Sequence, residues 1–555
     1  KYTVFKFFKT NQLGSFLMKF ATTLLCLAVL FVTASALRHL TIDHGWIDSD
    51  RPHLRSNTKD IPEQWFTNYV DHFDPFNLNT FQQRFFENSE NFQPFNQDSP
   101  IFLYLGLEGA ISTRWLQQGF MYELSKRFGA HLIIVEHRYY GATSPTPDLS
   151  LPNLKYLTTA QALEDYAFFI KSFKQYATRP WVVFSGSYGG VLCQDMLSKY
   201  PYLIAGAVSA SGPYEPTVDF QNYLLVAEQA LEWYGGKQCV DDFENANKQL
   251  YSTYLQAKDA PKMAELGKRL KLCTELTPNL SQNDEYSLWN SLTDSFMEVI
   301  QYNKENVPEG KTNIKSVCDK MKAAENKLDA LIDIHNMITD GHGEECREWD
   351  YKWQVDQLSY TKLDPAANMR QWIFQSCSQY GFFQSNSGKT RAFGQHYPIS
   401  FFGQLCQDAF STDFSLERLY RLNERSNATF GARDISQYGI IIANGNIDPW
   451  YALSSPKHNP YQGIYNYFIP GTSHCAILYA SSSADPQSLT DARASISQDL
   501  NRILQEFPMT KKSVRPSPFP IEPDFPQLQL QLQLQLQSQS QFRRDRFKSP
   551  CSQSP

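Results

Sequence analysis

Six runs of apolar and β-branched residues punctuate the chain: IFLYLG from Ile101, LIIVEH from Leu132, WVVFSG from Trp181, AGAVSAS from Ala205, YGIIIANG from Tyr438 and YNYFIPG from Tyr465. Runs that are apolar on both faces suit strands covered by helices on both sides, as in parallel sheets. Between the second and third runs, Ala160, Leu163, Ala167, Ile170 and Phe173 recur at helical spacing, and Thr158 with Gln161 predicts a capping box. This alternation of strand and helix predicts an α/β fold. From about Glu215 the period changes. AEQALEWY, ENANKQLYSTYLQ, YSLWNSLTDSFMEVI and SVCDKMKAAENKLDALIDIHNMI are all helical in pattern, so a mainly helical insertion divides the sheet's sequence in two. The expected organisation is a sheet domain from 37–214 and 401–511, with the insertion at 215–400.

The ends read differently. MKFATTLLCLAVLFVTASA, residues 18–36, has a lysine, a short apolar run and an Ala34-Ser35-Ala36 exit, the pattern of a secretory signal peptide. Met18 is then the expected start, with residues 1–17 as upstream translation. Prolines 516, 518, 520, 523 and 526 precede an alternating Gln/Leu repeat, so 512–555 is expected to be a low-complexity tail.

With 555 residues and 42% hydrophobic content the chain can bury a large core. A net charge of −6 without a basic block excludes nucleic acid binding as a main function. No later stretch predicts an integral membrane span. Setting aside Cys26 and Cys551 leaves eight of the ten cysteines, an even number that suggests disulfides in an oxidising compartment. Five of them, at 239, 273, 318, 346 and 377, fall in the insertion. Asn279 and Asn427 begin N-glycosylation sequons. HGEEC at 342–346 has metal-ligand residue types but no second cluster at zinc-site spacing, so Cys346 reads as half of a disulfide and no metal or other cofactor is expected.

WVVFSG runs into Ser187-Tyr188-Gly189-Gly190 and then a helical pattern at Val191, Leu192, Met196 and Leu197. Strand, sharp turn and helix with a serine at the apex predicts a nucleophile elbow, although Ser185 stands where G-x-S-x-G has its first glycine. A serine hydroxyl needs a base and a group to orient that base. NGNIDPW after one strand offers Asp448, and GTSHC after the next offers His474, in the chain order serine, acid, histidine. His458 follows no strand, and His72 and His137 precede the serine.

QWFTNYVDHFDP (64–75), EHRYYGATSP (136–145), LTTAQALEDYAFFI (157–170), GSYGG, NGNIDPW and GTSHC stand in the order of the lysosomal prolyl carboxypeptidase family. That family also contains an acid dipeptidyl peptidase and the thymus-specific serine protease, and FQSCSQYGFF at 374 most resembles the thymus-specific branch. The resemblance covers about residues 60–508. It implies an α/β-hydrolase domain carrying an inserted, disulfide-stapled helical cap, with Ser187, Asp448 and His474 as the triad. It also implies oxyanion donors from the Tyr188 backbone and from GLEGA near Glu108. The implied enzyme is a secreted or lysosomal serine exopeptidase that cuts short peptides after proline, with a homodimer as one allowed assembly. Trp450 has two open roles, proline-pocket wall or core packing.

The same resemblance pairs Cys239 with Cys318, Cys273 with Cys346 and Cys377 with Cys406, leaving Cys193 and Cys475 near the site as a fourth candidate bridge. The sequence departs from the family at Ser185, at Leu107, in VLCQDM after the elbow, and at Gln379, whose position resembles that of a family glutamate, a change that by the resemblance bears on recognition of a substrate terminus. Two rival functions remain: a non-catalytic binding protein on a hydrolase scaffold, and a lipase or esterase.

Overall fold

A computed structural model describes residues 60–303, 312–388 and 390–513. The signal-peptide reading at 18–36 and nearly all of the 512–555 tail lie outside these residues. All six apolar runs form strands, and their burial explains the pattern: β3 (Ile101–Leu105), β4 (His131–Val135), β5 (Trp181–Gly186), β6 (Gly206–Ala210) and β9 (Ile440–Gly445) are buried at every position. β10 (Ile464–Ile469) is half-exposed along its second half.

Two strands were not legible as buried runs. β1 (Gln64–Tyr69) and β2 (Thr80–Asn88) complete a sheet in the order β1-β2-β4-β3-β5-β6-β9-β10. β1 pairs antiparallel with β2 and β2 antiparallel with β4, while the remaining strands run parallel. This is the α/β-hydrolase architecture, and it places the C-terminal ends of β5, β9 and β10 along one rim, where ligands bind in open parallel sheets.

Between β6 and β9 the chain is mainly helical, with one small parallel sheet of β7 (Thr217–Asp219) and β8 (Gly381–Phe383). Three disulfides staple it. Cys239 on helix Asn222–Gln256 joins Cys318 on helix Ile314–Ala323, Cys273 joins Cys346, and Cys377 joins Cys406 on helix Ile399–Ala409. The pairings are those the family resemblance implied. Cys193 and Cys475 do not bridge; both are free, buried thiols. Cys475 packs against the Ala210 carbonyl at 3.8 Å, whereas burial among Tyr166 and Tyr214, near Asp195, pushes the Cys193 thiol well up.

The family motifs away from the rim are structural. Arg138 makes a two-pronged ion pair with Asp165 (2.6 Å on each prong) and also donates to the Val70 carbonyl at 3.0 Å, tying EHRYYG, EDYAFF and the end of β1 together. Burial alone would raise the Asp165 carboxyl, but Arg138 and His72 hold it below its ordinary value. The capping box is only half formed. Thr158 accepts from the Gln161 N–H, but the Gln161 side chain reaches Asp71 (2.6 Å) and the His72 N–H (3.0 Å) instead of returning to the cap. Anchoring the segment after β1 competes with capping and wins.

Candidate active site

Ser187 joins β5 to helix Tyr188–Lys199 with φ 55 and ψ −130, a left-handed conformation that a residue with a side chain adopts only at a cost of about 1–3 kcal/mol. Ser211, after β6, and Cys475, after β10, share positive φ. The turn is held by the Ser187 N–H donating to Ala210 (2.9 Å) and by Gly190 and Val191 N–H groups returning to the Ser187 carbonyl. Tyr188 is the first helical residue, so its N–H points out of the helix with no intrahelical acceptor.

Ser185 fits the elbow through its neighbours. Its hydroxyl donates to the Leu105 carbonyl at 2.8 Å, and a Cβ on Gly189 would overlap that hydroxyl. The serine and the glycine therefore form a matched pair. Gly189→Ala is expected to cost about 1–3 kcal/mol by overpacking, read as a fall in thermal midpoint, and adding Ser185→Gly should recover most of it. An unchanged midpoint in the single variant would show the elbow to be looser than this.

Asp448 follows β9 and His474 follows β10, and their loops are fastened together. The Gly471 N–H donates to the Asn446 side chain (2.7 Å) and the Ile447 N–H to the Thr472 carbonyl (3.1 Å). His474 Nδ1 lies 2.9 Å from Asp448 Oδ1, with both residues fully buried. A carboxylate can only accept, so Nδ1 carries the proton and Nε2 of the neutral ring has the lone pair. Burial alone would lower the His474 pKa, but the Asp448 carboxylate raises it well above the ordinary imidazole value. The loop bearing His474 packs onto the elbow, because a Cβ at Gly186 would sit 2.7 Å from Cys475 Sγ and the Cys475 N–H donates to Ser211 Oγ at 2.8 Å. The loops that carry Asp448 and His474 are thus brought together against the turn that carries Ser187. Ser187 is only 7% exposed, more covered than an open elbow would be.

On the other side of the elbow, the loop bearing Glu108 is pinned from beneath. Glu136 accepts from the Ile111 N–H (3.1 Å), Tyr166 donates to the Gly106 carbonyl (2.9 Å), and Asn368 of the insertion donates to the Glu108 carbonyl (2.7 Å). Leu107, on this same loop, is buried, its Cβ 3.4 Å from where a Gly189 Cβ would lie.

Trp450 is 4% exposed, in an aromatic cluster with Phe220, Tyr223 and Phe382 at 5.4–5.5 Å between centroids and His474 at 6.3 Å. Gln379 is not brought to this cluster. Its side-chain carbonyl accepts from the Thr159 N–H at 3.1 Å, where it satisfies the start of helix Thr159–Ser172. The amide beside the elbow is Gln375, which donates to the Tyr188 hydroxyl at 3.0 Å. That hydroxyl also meets His137 Nε2 at 3.0 Å, and Tyr140 donates to Gln375. Burial lowers the His137 pKa to about 4. The ring is therefore neutral, donates from Nδ1 to the Arg138 carbonyl (2.7 Å) and accepts the Tyr188 proton. His137 and Gln375 both lie in motifs quoted above, but their joint contact with Tyr188 is not legible there, since residues 137, 188 and 375 meet only in the folded chain.

At the remaining sites, His342 pairs with Glu298 at 2.9 Å, and Cys346 is in its disulfide. Asn279 is exposed in a left-handed turn, with φ 71. Asn427 lies inside helix Leu416–Phe430, and its Nδ2, the atom a glycan would take, donates to the Pro216 carbonyl at 2.8 Å.

Residues 68–496 match the family model described as serine carboxypeptidase S28. A Caenorhabditis elegans protein named as a serine protease is 32% identical over 466 residues, covering 80% of this chain and 88% of that one. The thymus-specific serine protease of Mus musculus is 27% identical, with 80% and 88% covered, and the lysosomal Pro-X carboxypeptidase of Homo sapiens is 26% identical, with 82% and 92% covered.

Proposed function

We propose that this chain, which belongs to the serine carboxypeptidase S28 family, is a secretory-pathway serine exopeptidase, lysosomal or extracellular, that removes residues following proline from short peptides. The observation that carries the reading is the His474–Asp448 pair at 2.9 Å, fastened onto a left-handed Ser187 elbow. His474 Nε2 takes the Ser187 proton as the hydroxyl oxygen bonds to the scissile carbonyl carbon, and Asp448 stabilises the imidazolium. The Tyr188 N–H and a backbone N–H near Glu108 receive the oxyanion. His474 then gives its proton to the departing amine, leaving an acyl-enzyme that water opens with the same base.

The insertion between β6 and β9 supports chain-end selection, because a roofed cleft admits a thin peptide end and excludes a folded surface. The aromatic wall of Trp450, Phe220 and Phe382 suits a pyrrolidine ring. Cleavage from the carboxyl end accords with the name of the Pro-X carboxypeptidase relative. The test uses Xaa-Pro-Xaa peptides blocked at the amino end, the carboxyl end or both. Cutting of the doubly blocked peptide would exclude exopeptidase action, equal rates with alanine for proline would exclude a prolyl pocket, and preference for esters would favour a lipase or esterase.

Passage through the secretory pathway should leave a glycan on Asn279 and none on Asn427, whose amide is held inside the fold. Peptide mapping after enzymatic deglycosylation reads this as conversion to aspartate at 279 alone. A glycan at 427 would mean that the Asn427–Pro216 bond opens.

A further inference from the structure

Gln301 ends the cap helix Gln282–Gln301 and is 4% exposed. Its backbone carbonyl accepts the His474 N–H at 2.9 Å, so the helix end abuts the base loop. Its side-chain oxygen accepts from Trp450 Nε1 at 2.9 Å and from the Tyr223 hydroxyl at 2.6 Å. An indole N–H can only donate, so the atom facing Trp450 must be the carbonyl oxygen, and the orientation of the carboxamide is fixed. Both lone pairs of that oxygen are then used. The Nε2 group, with two hydrogens, has no acceptor among the described residues. A donor pair held in place by the two bonds to its carbonyl oxygen thus stands beside the residue that, in the proposed reaction, protonates the departing amine.

In the proposed reaction the departing residue must pass His474, on the side away from the Tyr188 N–H. We infer that the Gln301 carboxamide N–H group grips the departing residue of the peptide by donating to its carbonyl or carboxylate oxygen. The inference rests on the exopeptidase reading and adds to it a specificity contact supplied by the cap. A neutral donor suits an oxygen acceptor and gives nothing to an alkyl group, so discrimination should follow the presence of that oxygen.

The test pairs two substrates, Xaa-Pro joined to an amino acid and Xaa-Pro joined to an alkylamine with no oxygen beyond the scissile bond. Gln301→Glu keeps an acceptor for Trp450 and Tyr223 but removes the donor, and Gln301→Met removes both. Any loosening of His474 lowers turnover of both substrates alike, so the readout is the ratio of their KM values. The wild type should favour the amino-acid substrate by about tenfold, the discrimination expected of one well-placed hydrogen bond, and both variants should reduce that ratio to about one. A preference retained in Gln301→Glu would overturn the inference. If the variants fail to fold, equal KM values for the two substrates in the wild type would overturn it alone. A wild type that cleaves neither substrate would instead defeat the function proposed above.

Discussion

Ser187→Ala is expected to lower peptide turnover by about 10⁶-fold, the scale of losing a triad nucleophile, and to abolish labelling by a fluorophosphonate probe. The variant loses one hydroxyl oxygen and no backbone bond, since the turn is held by the Ser187 N–H and carbonyl rather than by its side chain. Its thermal midpoint should stay within a few degrees of the wild type, because alanine keeps the Cβ and meets the same left-handed backbone strain that serine already carries. Labelling that survives the substitution would move the reactive nucleophile to another residue, and a wild type that takes no label would return the protein to the non-catalytic scaffold reading.

Asp448→Asn is expected to cost about 10⁴-fold in kcat, because the amide can donate to the imidazole and stabilise the wrong tautomer. The pH profile should move as well. The Asp448 carboxylate raises the His474 pKa, and the imidazole must be neutral to take a proton, so in the wild type activity is lost as pH falls through that raised value. Without the carboxylate the pKa falls, and the acid limb of the residual activity shifts to lower pH. A loss below tenfold with an unmoved acid limb would show that another group orients His474.

The parts of the molecule that could be read from the chain are those where one local pattern decides the outcome. β3 and β9 are buried on both faces and therefore largely apolar, and the loops after β5, β9 and β10 carry their chemistry in contiguous letters. β1 and β2 escaped because they sit at the sheet margin, where QWFTNY and TFQQRFFEN expose alternate residues and show too little apolar content to stand out. Gln379 looked like a site residue by alignment of motifs, yet a helix start needing an acceptor claims its carbonyl. Gln301 was invisible for the opposite reason. Its meaning comes from meeting Trp450 and the His474 N–H, and no spacing along one chain encodes where a helix end will touch a distant loop.

The register of β6 against β9, with Ala207 opposite Ile440 and Ala210 opposite Ala443, joins two parts of the chain made far apart in time. During synthesis the ribosome must release the whole disulfide-bonded insertion before β9 exists to dock beside β6. Closing so long a loop is costly mainly in search time, since the entropy grows only as the logarithm of its length. The strand that carries Ser187 is therefore built early and stays unarmed, and Asp448 and His474 arrive only when the last strands add to the edge. On the function proposed above, a nascent or truncated chain would hold a nucleophile without a base, and proteolysis would begin only after translation has passed the point where the fold can be completed.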